Sequence, residues 1–200
     1  IMRIAKLAKD IDVFQNYVDN VPEMVNSTID SGKDVLVEGT QGTFLSLYFG
    51  NYPFVTSKDI TASAICSDVG IGPKRVDDVI VVFKSFVTRV GEGPFTGELS
   101  PEETVSRGWA ETGTVTGRTR RAAPFDFELA KKAIMLNSAT SIAITKLDVL
   151  YPSARGVTTY EALDSSAKAF VENIENELNI NVSLIGTGPE VYETIDRRVK

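Results

Sequence analysis

The 200-residue chain carries 21 lysines and arginines against 27 aspartates and glutamates, a net charge of -6, with no basic run long enough to follow a nucleic-acid backbone. With 42% hydrophobic residues it can build a sizeable core, yet its apolar runs near Val79 and Ile142 are too short to span a bilayer, so a cytoplasmic protein that binds neither nucleic acid nor membrane is expected. It has no histidine and a single cysteine, Cys66, which excludes Ser/His and Cys/His nucleophilic mechanisms, His-ligated metals and an intrachain disulfide for these residues alone. From Met2 to about Ser31 the apolar residues Ile4, Leu7, Ile11, Phe14, Val18, Val21 and Val25 recur at helical spacing, predicting two helices, the second opened by Pro22. Val35-Leu36-Val37 reads as a short buried strand that delivers Gln41, set between Gly39 and Gly42, to a sheet edge.

Cys66 reads as a small core residue. Val79-Ile80-Val81-Val82-Phe83 is a second strand, followed by a loop with Gly91, Gly93, Pro94 and Gly97 that lacks the phosphate-loop pattern. Residues 100–125 are polar and nearly strandless, a long loop of the kind that carries function. Helical spacing returns at Phe127, Leu129, Ala130, Ala133, Ile134 and Asn137, then a strand at Ile142-Ala143-Ile144-Thr145. Another helix follows through Leu163, Ala167, Phe170, Val171, Ile174 and Leu178, and a strand at Val182-Ser183-Leu184-Ile185. Alternating strands and helices predict an α/β fold with a largely parallel sheet and flanking helices. Ligands of such sheets gather beyond the carboxyl ends of the strands, so Gln41, Lys146 with Asp148, and the turn Gly186-Thr187-Gly188-Pro189 are candidates to face one nucleotide.

Thr145-Lys146-Leu147-Asp148 directly after a strand suits guanine: the aspartate carboxylate accepts from the ring N1–H and the exocyclic amine while the lysine stem covers the base. The same four residues also read as a solvated lysine and a helix-capping aspartate. Gly117-Arg118-Thr119-Arg120-Arg121, preceded by Gly113-Thr114-Val115-Thr116, combines guanidinium forks, hydroxyls and amides that match a dicarboxylate or a phosphate, or else forms a solvated basic loop. No acidic residue lies between Gly113 and Phe125 to neutralise it. Gln41 suits a purine edge or a plain turn, and Gly186 to Pro189 suits a flat base or a strand end.

Taken in order, Val37-Glu38-Gly39-Thr40-Gln41-Gly42-Thr43, Tyr52-Pro53-Phe54-Val55-Thr56-Ser57, Thr88-Arg89-Val90-Gly91-Glu92-Gly93-Pro94-Phe95, the 113–121 loop, Thr145-Lys146-Leu147-Asp148 and Gly186-Thr187-Gly188-Pro189 resemble adenylosuccinate synthetase. The compact spacing around Asp59-Ile60-Thr61-Ala62-Ser63 is most similar to the shorter archaeal members. The resemblance implies that residues 1–200 are the C-terminal part of that enzyme, a P-loop-NTPase-like architecture lacking its N-terminal phosphate-loop part. It implies a homodimeric, GTP-dependent ligase that makes adenylosuccinate from inosine monophosphate (IMP) and L-aspartate with release of GDP and phosphate. Gln41, Thr56, Val90 and Arg118 would contact IMP; Thr114, Val115, Thr116, Gly117, Arg118, Thr119 and Arg120 would form the aspartate loop; and Arg120, Lys146, Leu147, Asp148, Gly186, Thr187 and Gly188 would hold GTP. Thr119 interrupts the family's basic run, and Gly186 stands where the family has serine or lysine. The phosphate loop, catalytic aspartate and histidine, and Mg2+ ligands of the family have no counterpart here and are expected upstream of Ile1, so these 200 residues alone are expected to be inactive. A non-catalytic guanine-nucleotide-binding module is the alternative; a P-loop GTPase is disfavoured by the missing phosphate-loop pattern.

Overall fold

A computed structural model describes residues 18–113 and 117–198. The first expected helix lies outside the described residues, and so do Thr114, Val115 and Thr116. The second is α1 (Val21–Asp30), where the Asn20 side chain accepts from the Glu23 amide and Pro22 sits in the first turn, a position that needs no amide donor.

The sheet expected from alternating strands and helices is present. β1 (Ile80–Lys84), β4 (Ser141–Thr145) and β5 (Val182–Gly186) are parallel neighbours, and β6 (Thr194–Asp196) closes the far edge antiparallel to β5. A separate antiparallel ribbon pairs β2 (Val87–Arg89) with β3 (Arg121–Ala123). Helices α2 (Ala62–Val69), α3 (Pro101–Ser106), α4 (Phe127–Asn137), α5 (Leu147–Leu150) and α6 (Ser165–Leu178) complete the fold.

The core follows from periodicity. Ala167, Val171, Ile174 and Leu178 recur along one stripe of α6, and all are buried in one cluster with Ile142 and Ile144 of β4, Val182 and Ile185 of β5, and Ile195 of β6. A large aliphatic side chain in such a place contributes about 1.5–3 kcal/mol by leaving water. Asp164 caps α6 by accepting from the amides of Ser166 and Ala167, and Asp126 caps α4 through the Leu129 amide. A smaller cluster stacks Phe86 on Trp109, ring centroids 4.7 Å apart, over Ala122 of the ribbon.

Three expectations are corrected. Residues 33–42 form no strand among the described residues; Leu36 is 95% exposed, because an extended apolar trio becomes a strand only with a hydrogen-bonding neighbour and no described segment pairs with it. Gln41 is therefore carried by a turn instead of a strand end. The 100–125 stretch contains both α3 and β3; the missed signal is a reciprocal capping box, in which the Ser100 hydroxyl accepts from the Glu103 amide and the Glu103 carboxylate accepts from the Ser100 amide. Cys66 lies on α2 only half-buried, outside both core clusters.

Candidate functional site

The parallel order of β1, β4 and β5 brings Lys84, Lys146 and Gly186 to one rim of the sheet. Lys146 follows β4 directly and takes a left-handed backbone, φ 65°, that turns the chain from strand into α5. Four non-glycine residues hold positive φ among the described residues: Ser138 and Asn179 end helices, whereas Gln41 and Lys146 do not. The two backbone strains without a helix-ending duty thus fall on two residues that the sequence marks for a purine. Ser85, at the end of β1, donates its hydroxyl to the Lys146 carbonyl at 2.8 Å and fixes that turn.

Asp148 sits inside α5 with its side chain 6% exposed, and its Oδ2 accepts from Arg155 Nη1 at 3.2 Å. Arg155 stands mostly in solvent, so this carboxylate is balanced by a guanidinium that can swing away. Leu147 is fully buried in the main core. Thr187 is also fully buried: its amide donates to the Glu193 carbonyl, its carbonyl accepts from the Gly156 amide and its hydroxyl donates to the Val157 carbonyl. It locks the turn after β5. Gly188 leaves room for the Glu193 carboxylate, which accepts from the Glu190 amide; a Cβ there would displace that side chain.

The basic loop is closed at its neck by backbone pairing. The Arg120 amide donates to the Glu111 carbonyl at 2.9 Å, Thr112 bridges Thr119, and the Gly113 amide donates to the Arg118 carbonyl at 2.9 Å. Gly117, at φ 63°, and Arg118 lie on the exposed tip side. The acids that balance this loop come from outside it. Glu98 makes a fork-to-fork pair with Arg121, whose guanidinium also donates to the carbonyls of Gly91 and Gly93 at 3.1 and 3.0 Å. That pairing holds the Glu98 carboxyl below its usual pKa. Glu111 lies among Lys84 at 2.6 Å, Arg120 at 3.7 Å and Lys146 at 3.7 Å. Burial pushes the Lys84 ammonium below its usual pKa; Glu111 pulls it back only in part, and the charges of Arg120 and Lys146 push it further down.

Gln41, Thr56 and Val90 occupy loops joined to one another. The Thr40 hydroxyl donates to Gln41 Oε1 at 2.6 Å, and the buried Asn137 at the end of α4 donates to the Thr43 hydroxyl at 3.1 Å while accepting from the Ala62 amide at 2.9 Å. Asn137 therefore fastens the Gln41 turn and the start of α2 to α4. Thr56 donates both its amide and hydroxyl to the Leu45 carbonyl, each at 2.8 Å. Arg89 bridges onward, donating to the Phe54 carbonyl at 3.1 Å and the Glu92 carbonyl at 3.0 Å. Gly93 must be glycine there: at φ 104° a Cβ would lie 2.8 Å from both Arg89 and Phe54. Because Arg89 pairs with Arg121 across the ribbon, the next residues, Val90 and Arg120, leave it at the same end. The Gly91 to Gly97 loop is stapled by Arg89 and Arg121.

A model of the adenylosuccinate synthetase family matches residues 2–154. The chain belongs to that family. It is 59% identical over 198 residues to the adenylosuccinate synthetase of Thermococcus onnurineus and 56% identical over 198 residues to that of Methanocaldococcus jannaschii, covering 99% of this chain in each case and 58% and 57% of those proteins. The structure of fully ligated adenylosuccinate synthetase from Plasmodium falciparum superposes with a TM-score of 0.86 at 26% identity, over 96% of this chain and 58% of that one. The chain thus spans a little under three-fifths of the curated relatives it matches. The α/β expectation and the archaeal flavour of the resemblance both agree with these relatives.

Within the adenylosuccinate synthetase framework, several positioning residues escaped the sequence reading. Arg155, Glu111, Glu98 and Asn137 lie at 7, 9, 23 and 94 positions from the partners they hold, Asp148, Arg120, Arg121 and Thr43, so no local motif contains them. Asn137 alone had a signal: a polar residue on the apolar stripe of α4.

Proposed function

We propose that the chain is the IMP-, aspartate- and guanine-binding part of an adenylosuccinate synthetase, residues 1–200 forming its C-terminal portion. The observation that carries this reading is the rim at β4 and β5, where a left-handed Lys146 and a buried Asp148 stand beside the Gly186-Thr187-Gly188 turn. A planar base with two adjacent N–H donors fits that set: Asp148 accepts from both as Arg155 yields, the Lys146 stem covers one face, and the backbone at Leu147, Gly186, Thr187 and Gly188 follows the ring edge.

The reaction is GTP-dependent ligation: the O6 of IMP takes the γ-phosphoryl group, then the aspartate amine displaces phosphate to leave adenylosuccinate, with GDP as the other product. Gln41, Thr56 and Val90 hold the purine of IMP. Arg118 reaches both IMP and aspartate, with residues 114–120 forming the aspartate loop, and Arg120 spans aspartate and GTP. A guanidinium fork is the apt partner for an α- or β-carboxylate because both of its oxygens are bonded at once. Mg2+ supplies charge neutralisation at the transferring phosphoryl group. Among the described residues no three histidine, cysteine, aspartate or glutamate side chains gather to hold it. Cytoplasmic location and a homodimer complete the reading; among the described residues no helix is long and apolar enough to cross a membrane.

The test is formation of adenylosuccinate, followed by its ultraviolet absorbance, from IMP, aspartate, GTP and Mg2+ by the full-length protein that contains this chain. Product that needs all three substrates supports the reading. Guanine-nucleotide binding without product would leave only a binding module.

A further inference from the structure

The geometry points to Glu111 as a positioning residue that holds the aspartate-loop Arg120 and the guanine-side Lys146 in one fixed relation, so that the two substrate sites are set by a single carboxylate. This rests on the roles proposed above for Arg120 and Lys146. Glu111 itself belongs to none of the motifs that suggested those roles.

Three cations from three separate elements converge on it: Lys84 ends β1, Arg120 precedes β3 and Lys146 follows β4. Their contacts are of two kinds. Lys84 is locked, with Nζ donating to Glu111 Oε2 at 2.6 Å and to the Thr88 hydroxyl at 2.8 Å. Among the described residues Arg120 and Lys146 are held by charge alone, each at 3.7 Å, one toward each carboxylate oxygen. Lys84 therefore anchors the carboxylate to the sheet, and the carboxylate aligns the other two.

A pair serving stability alone would close its hydrogen bonds. Here Glu111 Oε1 and Arg120 Nε are buried with no hydrogen-bond partner among the described residues, a cost that a purely structural ion pair has no reason to carry. Steered but unbonded side chains remain available to an incoming ligand. Without the Glu111 charge, three positive groups would face one another at short range, and Arg120 and Lys146, the two that are not locked, would move apart. The neck bond from the Arg120 amide to the Glu111 carbonyl survives that change, so the loop backbone stays closed while the side chains lose their alignment.

The experiment is steady-state kinetics on the full-length protein with Glu111→Gln, which keeps the shape and removes the charge, and Glu111→Asp, which keeps the charge. Glu111→Gln is expected to raise the KM for aspartate and for GTP each by about ten-fold while the KM for IMP stays within about two-fold; Glu111→Asp should recover most of that loss. If Glu111→Gln does not fold, Lys84→Gln frees the carboxylate from its anchor and should raise the same two KM values about three-fold. Active wild type with both KM values unchanged, a fall in kcat alone, or an equal rise in all three KM values overturns the inference by itself. Wild-type protein that makes no adenylosuccinate overturns the function reading, and this inference falls with it.

Discussion

The Ser85 hydroxyl donates to the Lys146 carbonyl at 2.8 Å, joining the end of β1 to the strained residue that turns β4 into α5. Ser85 is 1% exposed, and its amide also donates to the Thr145 carbonyl at 2.9 Å. Ser85→Ala removes the donor but not the backbone pairing. A net loss of about 1 kcal/mol in stability is expected, since the Lys146 carbonyl keeps its bonds within α5. The effect on GTP should be more telling: its KM is expected to rise about three- to ten-fold in the full-length protein, with the IMP KM unchanged. Thermal unfolding and kinetics measured together check it, and a GTP KM that does not move would show that Lys146 needs no help from β1.

Asp148→Asn tests the base assignment directly. A carboxylate accepts from both guanine donors, whereas an amide accepts once and donates once, which suits xanthine. Hydrogen bonds to charged groups are worth about 1.5–3 kcal/mol, so GTP affinity should fall about ten-fold or more while xanthosine triphosphate gains relative to it. The substitution also weakens the Arg155 contact, and Arg155→Ala is the control: the exposed guanidinium contributes little, and GTP preference over xanthosine triphosphate should persist. Competition between the two nucleotides in the full-length protein decides the matter.

Much of this was legible in the chain itself, for physical reasons. β4, α4, α6 and β5 are built by period, and their stripes of apolar residues fall where the core lies. Lys146 and Asp148 were visible because strand, turn and acid occur within a few residues. Two kinds of feature were not visible. Val35-Leu36-Val37 has the composition of a strand, yet pairing is a long-range property that three residues cannot encode. Glu98 and Glu111 neutralise arginines that sit in an acid-free window, because the fold brings the carboxylates in from 23 and 9 residues away. α3 is a different case: its Ser100 to Glu103 capping box is a local signal, hidden by the polarity of the surrounding stretch.

Arg118→Leu separates the aspartate half from the nucleotide half. Arg118 lies on the exposed side of a loop whose neck is closed by backbone bonds, so the substitution leaves the neck intact. A leucine fills the volume but cannot bond a carboxylate, and the fork is worth at least one charge-assisted hydrogen bond. The KM for aspartate is expected to rise about ten-fold or more, kcat to fall, or both, with GTP affinity within about two-fold. Initial rates over a range of aspartate at saturating IMP and GTP check this, and a loss confined to GTP would remove the loop from the aspartate site.

Asp59 provides the pH test. Its carboxylate gathers the segment that carries Thr56: Oδ1 accepts from the Ser46 hydroxyl at 2.7 Å and from the amides of Ile60 and Thr61 at 2.8 and 3.3 Å, and Oδ2 accepts from the Thr61 hydroxyl at 3.0 Å. Partial burial pushes the Asp59 pKa upward, but the bonds from Ser46, Thr61 and the two backbone amides prevail and hold it below the usual value. A depressed folded pKa means the unfolded chain binds the proton first as pH falls. The stabilisation is therefore complete above about pH 4, near the unfolded aspartate value, and fades below it as the folded carboxyl takes up its proton. Asp59→Asn should cost about 1 kcal/mol at pH 7, at the low end for a charged acceptor because water still reaches the group, and should cost less at pH 3. Since Ser46 is fully buried and its hydroxyl also accepts from the amides of Tyr48 and Phe49, the variant loosens the 46–61 segment and should raise the IMP KM about three-fold while leaving that of GTP unchanged. Melting temperatures of wild type and variant at the two pH values, with IMP kinetics at pH 7, check both halves; a variant penalty that grows toward pH 3 would reverse the sign argued here.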